Sequence, residues 1–153
     1  MEQFKNLESE LKLRLTQLHT MAPGSIGDQM ELELVDCKPE RGVYVMRCRT
    51  YDWMRNIAGT LHGGLCATLV DQAMGCVAYC AKPGEGIAPT VEMNVTYHRP
   101  LIPREDVLIR VELTSVSRHL MHLRSQACRA TEPDKVCIAA TAVYFWLWVI
   151  LPA

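Results

Sequence analysis

The sequence lacks a charge excess of either sign. Its 16 Lys and Arg stand against 17 Asp and Glu, a formal net charge of −1. A nucleic-acid partner would demand a pronounced basic surplus, so none is expected; an anionic ligand would need a local basic patch. There is no CxxC pair among the 7 cysteines. Cys37, Cys48, Cys66, Cys76, Cys80, Cys128 and Cys137 fall inside apolar stretches, which reads as reduced thiols used as small buried hydrophobes in a reducing, cytoplasmic compartment. No apolar run reaches the ~20 residues a membrane-spanning helix needs. The longest uncharged segment, Val136–Leu151, is rich in β-branched and aromatic residues and is expected to be a buried strand, with membrane contact by Trp146 and Trp148 the less favoured alternative. The opening MEQFKNLESELKLRL has no apolar h-region, so no signal peptide is expected. Nor is there a GxSxG motif to support Ser-His-Asp hydrolysis.

What is present is the balance of an ordinary globular domain, with 49% hydrophobic and 22% charged residues. Leu7, Leu11, Leu15 and Leu18 recur at helical spacing among charged residues, and Pro23-Gly24 ends that pattern. Met30–Cys37 and Gly42–Thr50 read as strands joined by a turn at Lys38–Arg41, and Tyr51–Leu61 as a loop. From Gly63 to about Ala81 runs one long helix, apolar nearly all round and therefore expected to be buried. Four strand-like runs follow, Thr90–His98, Asp106–Ser115, Leu120–Ala130 and Val136–Leu147, punctuated by Pro100, Pro103 and short polar turns. With no repeats, residues 1–153 read as one α+β domain, residues 1–25 being an N-terminal helix and linker. An antiparallel sheet of about six strands wrapped around the long helix is the expected architecture.

The chemistry concentrates between Asn56 and Asp71. Gly63 and Gly64 open the long helix, where the first N–H groups have no internal partner and sit at the positive end of the helix dipole. Such amides can polarise a carbonyl and hold an oxyanion, although a glycine pair alone is better explained as a tight turn. Asp71 strengthens the functional reading. It lies mid-helix among Leu, Val, Ala, Cys and Met, where a buried carboxylate is costly unless satisfied and where burial favours general-base or nucleophile work. Gly63 and Asp71 are separated by ~12 Å along the helix at ~1.5 Å per residue. One carbonyl therefore cannot reach both within one chain, and cooperation requires a second subunit. Cys76 and Cys80 read as core filler, Met93 and Tyr97 as strand packing, and no metal-ligand cluster is apparent.

These residues carry a resemblance. NIAGTLHGGLCATLVDQAMG (56–75) followed by PTVEMNVTYHRP (89–100) resembles the PaaI-like hotdog thioesterases, related to the phenylacetyl-CoA and 4-hydroxybenzoyl-CoA thioesterases. The likeness runs from about residue 30 to residue 147, and its specific part is HGG-x6-D with the upstream Asn. It implies a hotdog fold and hydrolysis of an acyl-CoA thioester without metal or redox cofactor, CoA being part of the substrate. It also implies a homo-oligomer, a dimer or a tetramer built as a dimer of dimers, with active sites shared between subunits. By that resemblance Asp71 is the general base or nucleophile and the Gly63 amide, beside Gly64, binds the thioester oxygen. His62 and Asn56 then position the carbonyl and the water, and Thr90 supplies a water-orienting hydroxyl. Arg99 and Arg118 are the candidates for the CoA phosphates, although either one singly is better read as solvated surface arginine. An acyl-CoA sensor that does not turn its ligand over is the runner-up, and a dehydratase-type hotdog ranks last. The run from Phe145 to Leu151 departs from the family pattern.

Overall fold

The computed structural model describes residues 7–82 and 84–148. Helix α1 spans Leu7–Met21 and buries Leu7, Leu11 and Leu15, the stripe that the leucine spacing demands. A short helical turn, α2 (Ile26–Gln29), follows, its first turn capped by the Ser25 hydroxyl, which accepts from the Asp28 N–H. Strands β1 (Glu33–Lys38) and β2 (Val43–Arg49) form a hairpin. Its turn needs Gly42, whose φ is +65° and whose absent Cβ would lie 2.9 Å from the Leu113 carbonyl oxygen.

The long helix α3 spans Gly63–Cys80. After it come β3 (Gly86–Ile87), β4 (Thr90–Tyr97), β5 (Asp106–Val116), β6 (Leu120–Arg129), β7 (Val136–Phe145) and β8 (Leu147–Trp148). Six strands make one antiparallel sheet in the order β1-β2-β5-β6-β7-β4. On the three strands β5, β6 and β7 every second residue faces inward: Val107, Ile109, Val111 and Leu113 on β5, Met121, Leu123, Ser125 and Ala127 on β6, and Ile138, Ala140, Ala142 and Tyr144 on β7 are all buried, with Cys137 buried next to Ile138. That face curls over α3, while α1 packs on the helix from another side. This is the hotdog arrangement expected from the sequence.

Three expectations change. The helix is not buried all round: Cys66, Leu69, Val70, Ala73, Met74, Val77 and Ala78 face the core, while Asp71, Gln72, Gly75, Cys76 and Tyr79 are only partly covered. A sheet covers one side of a helix, and α1 reaches only part of the other. The last apolar run is not one strand. It breaks at Trp146, and Leu147–Trp148 pairs with Gly86–Ile87 in a separate two-stranded sheet. Trp146 thereby becomes a core residue at 0% exposure, whereas Trp148 is 55% exposed. Trp146 is thus unavailable for membrane contact, and residues 149–151 of that run lie outside the described residues. Among the described residues, no helix is long and apolar enough to cross a membrane. All seven cysteines are free thiols.

Candidate active site

Asp71 projects from the middle of α3 towards the start of β4 and the end of β7. It is half-buried in the single chain rather than buried, because the edge strand β4 leaves its side of the helix open. The case for the residue therefore rests on its partners. The Thr90 hydroxyl donates to Asp71 Oδ1 at 2.8 Å and the Tyr144 hydroxyl reaches the same oxygen at 2.7 Å. Both donors hold one oxygen, and Oδ2 takes no hydrogen bond among the described residues, which leaves it free for a water or a substrate carbon. Burial and the hydrogen bond to Asp71 push the Tyr144 phenol far above its ordinary pKa, so it stays a neutral donor throughout the working range. Sequence reasoning missed Tyr144. Its signal was there: a tyrosine at an inward position of a buried strand needs a partner for its hydroxyl.

A second cluster stands at the start of α3. His62 is the N-cap residue, and its Nδ1 accepts from the Gly64 N–H at 3.0 Å. With Nδ1 accepting, Nε2 is the ring nitrogen left to donate. The bond to Nδ1 also occupies Gly64, so of the two glycine amides only that of Gly63 is without a hydrogen bond among the described residues. The Tyr97 hydroxyl donates to the Gly63 carbonyl at 2.8 Å. Tyr97 is thus more than strand packing: it pins the backbone of the helix start. Asn56 organises the preceding loop, accepting from Ala58 N–H and Thr60 N–H and donating to Thr60 Oγ1. Asn56 and His62 line one cleft of about 870 Å³ together with Arg55, Ile57 and Gly59.

The site residues thus fall into two groups, Asn56, His62, Gly63 and Gly64 at the helix start and Asp71, Thr90 and Tyr144 a little over two turns further on. The two arginines are not brought together. The Arg99 backbone N–H bonds to the Cys137 carbonyl and its guanidinium donates to the Val136 carbonyl at 2.7 Å, at the start of β7. Arg118 lies in the β5–β6 turn at the other end of β7, where Lys82 donates to its carbonyl. The intervening strand β7 is ~30 Å long at ~3.3 Å per residue, so one bound nucleotide in one chain cannot engage both.

Residues 58–136, just over half of the chain, match the family described as the Thioesterase superfamily. Human acyl-coenzyme A thioesterase 13 is 34% identical over 92 residues, which is 59% of this chain and 62% of the relative; the chain spans less than two thirds of the length of that curated relative. Among solved structures, a Haemophilus influenzae thioesterase superposes with a TM-score of 0.75 at 14% identity, covering 90% of this chain and 92% of the other. A Streptococcus mutans protein bound to acetyl CoA superposes with a TM-score of 0.65 at 20% identity, covering 76% of this chain and 89% of the other. At such identities the structural likeness establishes the fold.

Proposed function

Because the chain belongs to the thioesterase superfamily, we propose that it hydrolyses an acyl-CoA thioester to the free acid and CoA in active sites shared between two subunits. The observation that carries this reading is the Asp71 carboxylate, held through one oxygen by Thr90 and Tyr144 with the other oxygen open. As a base it removes a proton from water while the hydroxide adds to the thioester carbon; as a nucleophile it adds to that carbon itself, and water then cleaves the anhydride. In either case the carbonyl oxygen gains charge, which the Gly63 N–H at the positive end of α3 stabilises. The C–S bond breaks and the departing thiolate takes up a proton. His62 Nε2–H is the second donor to the carbonyl side, and Asn56 keeps the loop that presents both.

Sharing follows from strand polarity. β4 is the sheet's edge, with Val91 61% and Tyr97 52% exposed, and an exposed edge invites pairing with a second chain. Its Thr90 end touches Asp71 and its Tyr97 end touches Gly63. When two copies of β4 pair antiparallel about a two-fold axis, the Thr90 end of one lies beside the Tyr97 end of the other. Each Asp71 is then carried towards the partner's half-site, closing the ~12 Å gap that one helix cannot close.

Thiol release from a panel of acyl-CoAs, with wild type and Asp71→Asn, tests the chemistry. A loss of about 10²–10⁴-fold in kcat is expected for the variant, and turnover at the wild-type rate would remove Asp71 from its role. Acyl-CoA binding by a wild type that releases no thiol would replace the enzyme with a sensor. Mixing tests the sharing. Gly63→Pro removes the amide proton at a position where a helix tolerates proline, and refolding it together with Asp71→Asn should restore about a quarter of wild-type activity, since half of the random dimers carry one intact site. No recovery on mixing, or a monomer in sedimentation at every concentration, contradicts the shared site.

A further inference from the structure

Beside Asp71 a groove of about 240 Å³ opens between α1 and α3, lined by Arg14, Leu18, Gln72, Gly75, Cys76 and Tyr79. Gly75 lies one helical turn beyond Asp71 on the same face. A Cβ on it would come within 3.5 Å of the ring of Tyr144, the residue whose hydroxyl holds the Asp71 carboxylate. Gly75 thus belongs to the groove lining and borders the ring that supports the carboxylate. Tyr79 stands one turn further, ~12 Å from Asp71 along the axis. There the Arg14 guanidinium lies 4.1 Å from the centre of the Tyr79 ring and donates to its hydroxyl. The Arg14–Tyr79 pair stands at the end of the groove lining away from Asp71.

Gly75 is the residue that points to a ligand. A glycine inside a helix costs stability relative to alanine, and nothing in the fold asks for it here. Its φ is not in the left-handed region, and the nearest heavy atom to an added Cβ is at an ordinary contact distance. Gly86 makes the contrast: a Cβ there would lie 2.5 Å from the Trp146 ring. Gly75 lines the groove, and an added Cβ would meet only the Tyr144 ring within 4 Å.

Resting on the reading of Asp71 as the carboxylate that acts on an acyl-CoA, we propose that this groove receives the acyl group, with Gly75 as its floor and the Arg14–Tyr79 pair as its end wall. At ~30 Å³ for each water-sized group, the volume holds about eight non-hydrogen atoms. The substrates are acyl-CoAs with a compact, apolar acyl group of about that size. A long chain would have to displace Arg14 from the Tyr79 ring.

The test is the kcat/KM profile, by thiol release, for straight-chain acyl-CoAs from acetyl to palmitoyl with wild type, Gly75→Ala and Arg14→Ala. In the wild type each added methylene should raise kcat/KM about fourfold, ~0.8 kcal/mol, until the groove fills near about eight carbons. Gly75→Ala should move the maximum to shorter chains while raising Tm, a combination that a damaged fold would not give. Arg14→Ala should move it to longer chains. If the wild type is active and both variants keep its maximum, the groove is not the acyl site and the thioesterase reading survives. If the wild type cleaves no acyl-CoA, that reading falls, and calorimetric titration with the same series decides on the groove. An affinity that rises with chain length and is altered by Gly75→Ala keeps the groove as an acyl site; an affinity independent of chain length overturns it.

Discussion

The two ends of α3 are built for different purposes. At its start, His62 is exposed, the Gly63 amide is without a partner among the described residues, and the neighbouring loop carries Trp53 and Ile57 on its surface. At its end, Trp146 is sealed in the core, edge-on to Tyr79 at 5.7 Å and to Trp148 at 5.5 Å. Gly86 is there because the Trp146 ring leaves no room for a Cβ. The closed end spends its aromatic area on stability. The open end leaves polar backbone exposed, which costs stability and is what a site needs. One helix thus carries its anchor at one pole and the proposed oxyanion donor at the other, with Asp71 between them.

Four measurements would sharpen or break that contrast. Trp146→Ala should give the largest change in stability, about 3–5 kcal/mol by urea denaturation, as expected for emptying a buried aromatic site. A change below about 1 kcal/mol would mean that the closed end is not the anchor. Gly63→Pro should give the reverse, a loss of about 10²–10³ in kcat, the usual effect of removing one oxyanion donor, with Tm nearly unchanged because proline suits the first helical position. A collapse of Tm would show the helix start to be structural. An intermediate effect is expected from alkali. Burial pushes the Cys48 thiol up to about 12, whereas an unfolded thiol ionises near ~8.5. Stability from this thiol is fully present below the unfolded value and falls by about 1.4 kcal/mol per pH unit as pH rises from there towards 12. Cys80, in the last turn of α3, is also raised to about 12 by burial and adds to the same limb. Urea midpoints at pH 7 and 10 read this directly, and equal midpoints would mean that the interior is wet. The smallest effect belongs to the outer face of the sheet. Arg124→Ala breaks a well-formed pair with Glu112, yet Arg124 is 64% exposed, so the loss should stay below about 1 kcal/mol.

Much of this was legible in the chain. The leucine spacing gave α1, strand-like runs bounded by polar turns gave β5, β6 and β7, and the glycine pair with a lone acid eight residues on marked the candidate site. Less legible were the places where one segment obeys two demands. Val136 to Trp148 carries no charge, and no pattern within it says that the strand ends at Phe145. The break is imposed by the pairing of Leu147 with Ile87 and by the seating of Trp146 N–H on the His119 carbonyl. Tyr97 looked like a packing residue and Tyr144 was missed, because alternation describes where a side chain points, and what each hydroxyl meets lies on α3, many residues away.

The sequence by itself determined the order of elements and singled out Asp71 as a candidate, because periodicity and the cost of placing a charge among apolar residues are local properties. Tertiary structure alone decided that Asp71 is held through one oxygen by Thr90 and Tyr144, and that Gly64 is spent on His62 while Gly63 is left open. It also decided that a groove between α1 and α3 brings Gly75 and Tyr79 together with Arg14. Each of these depends on which strand lies beside which turn of α3, and that is fixed by sheet register and long-range packing.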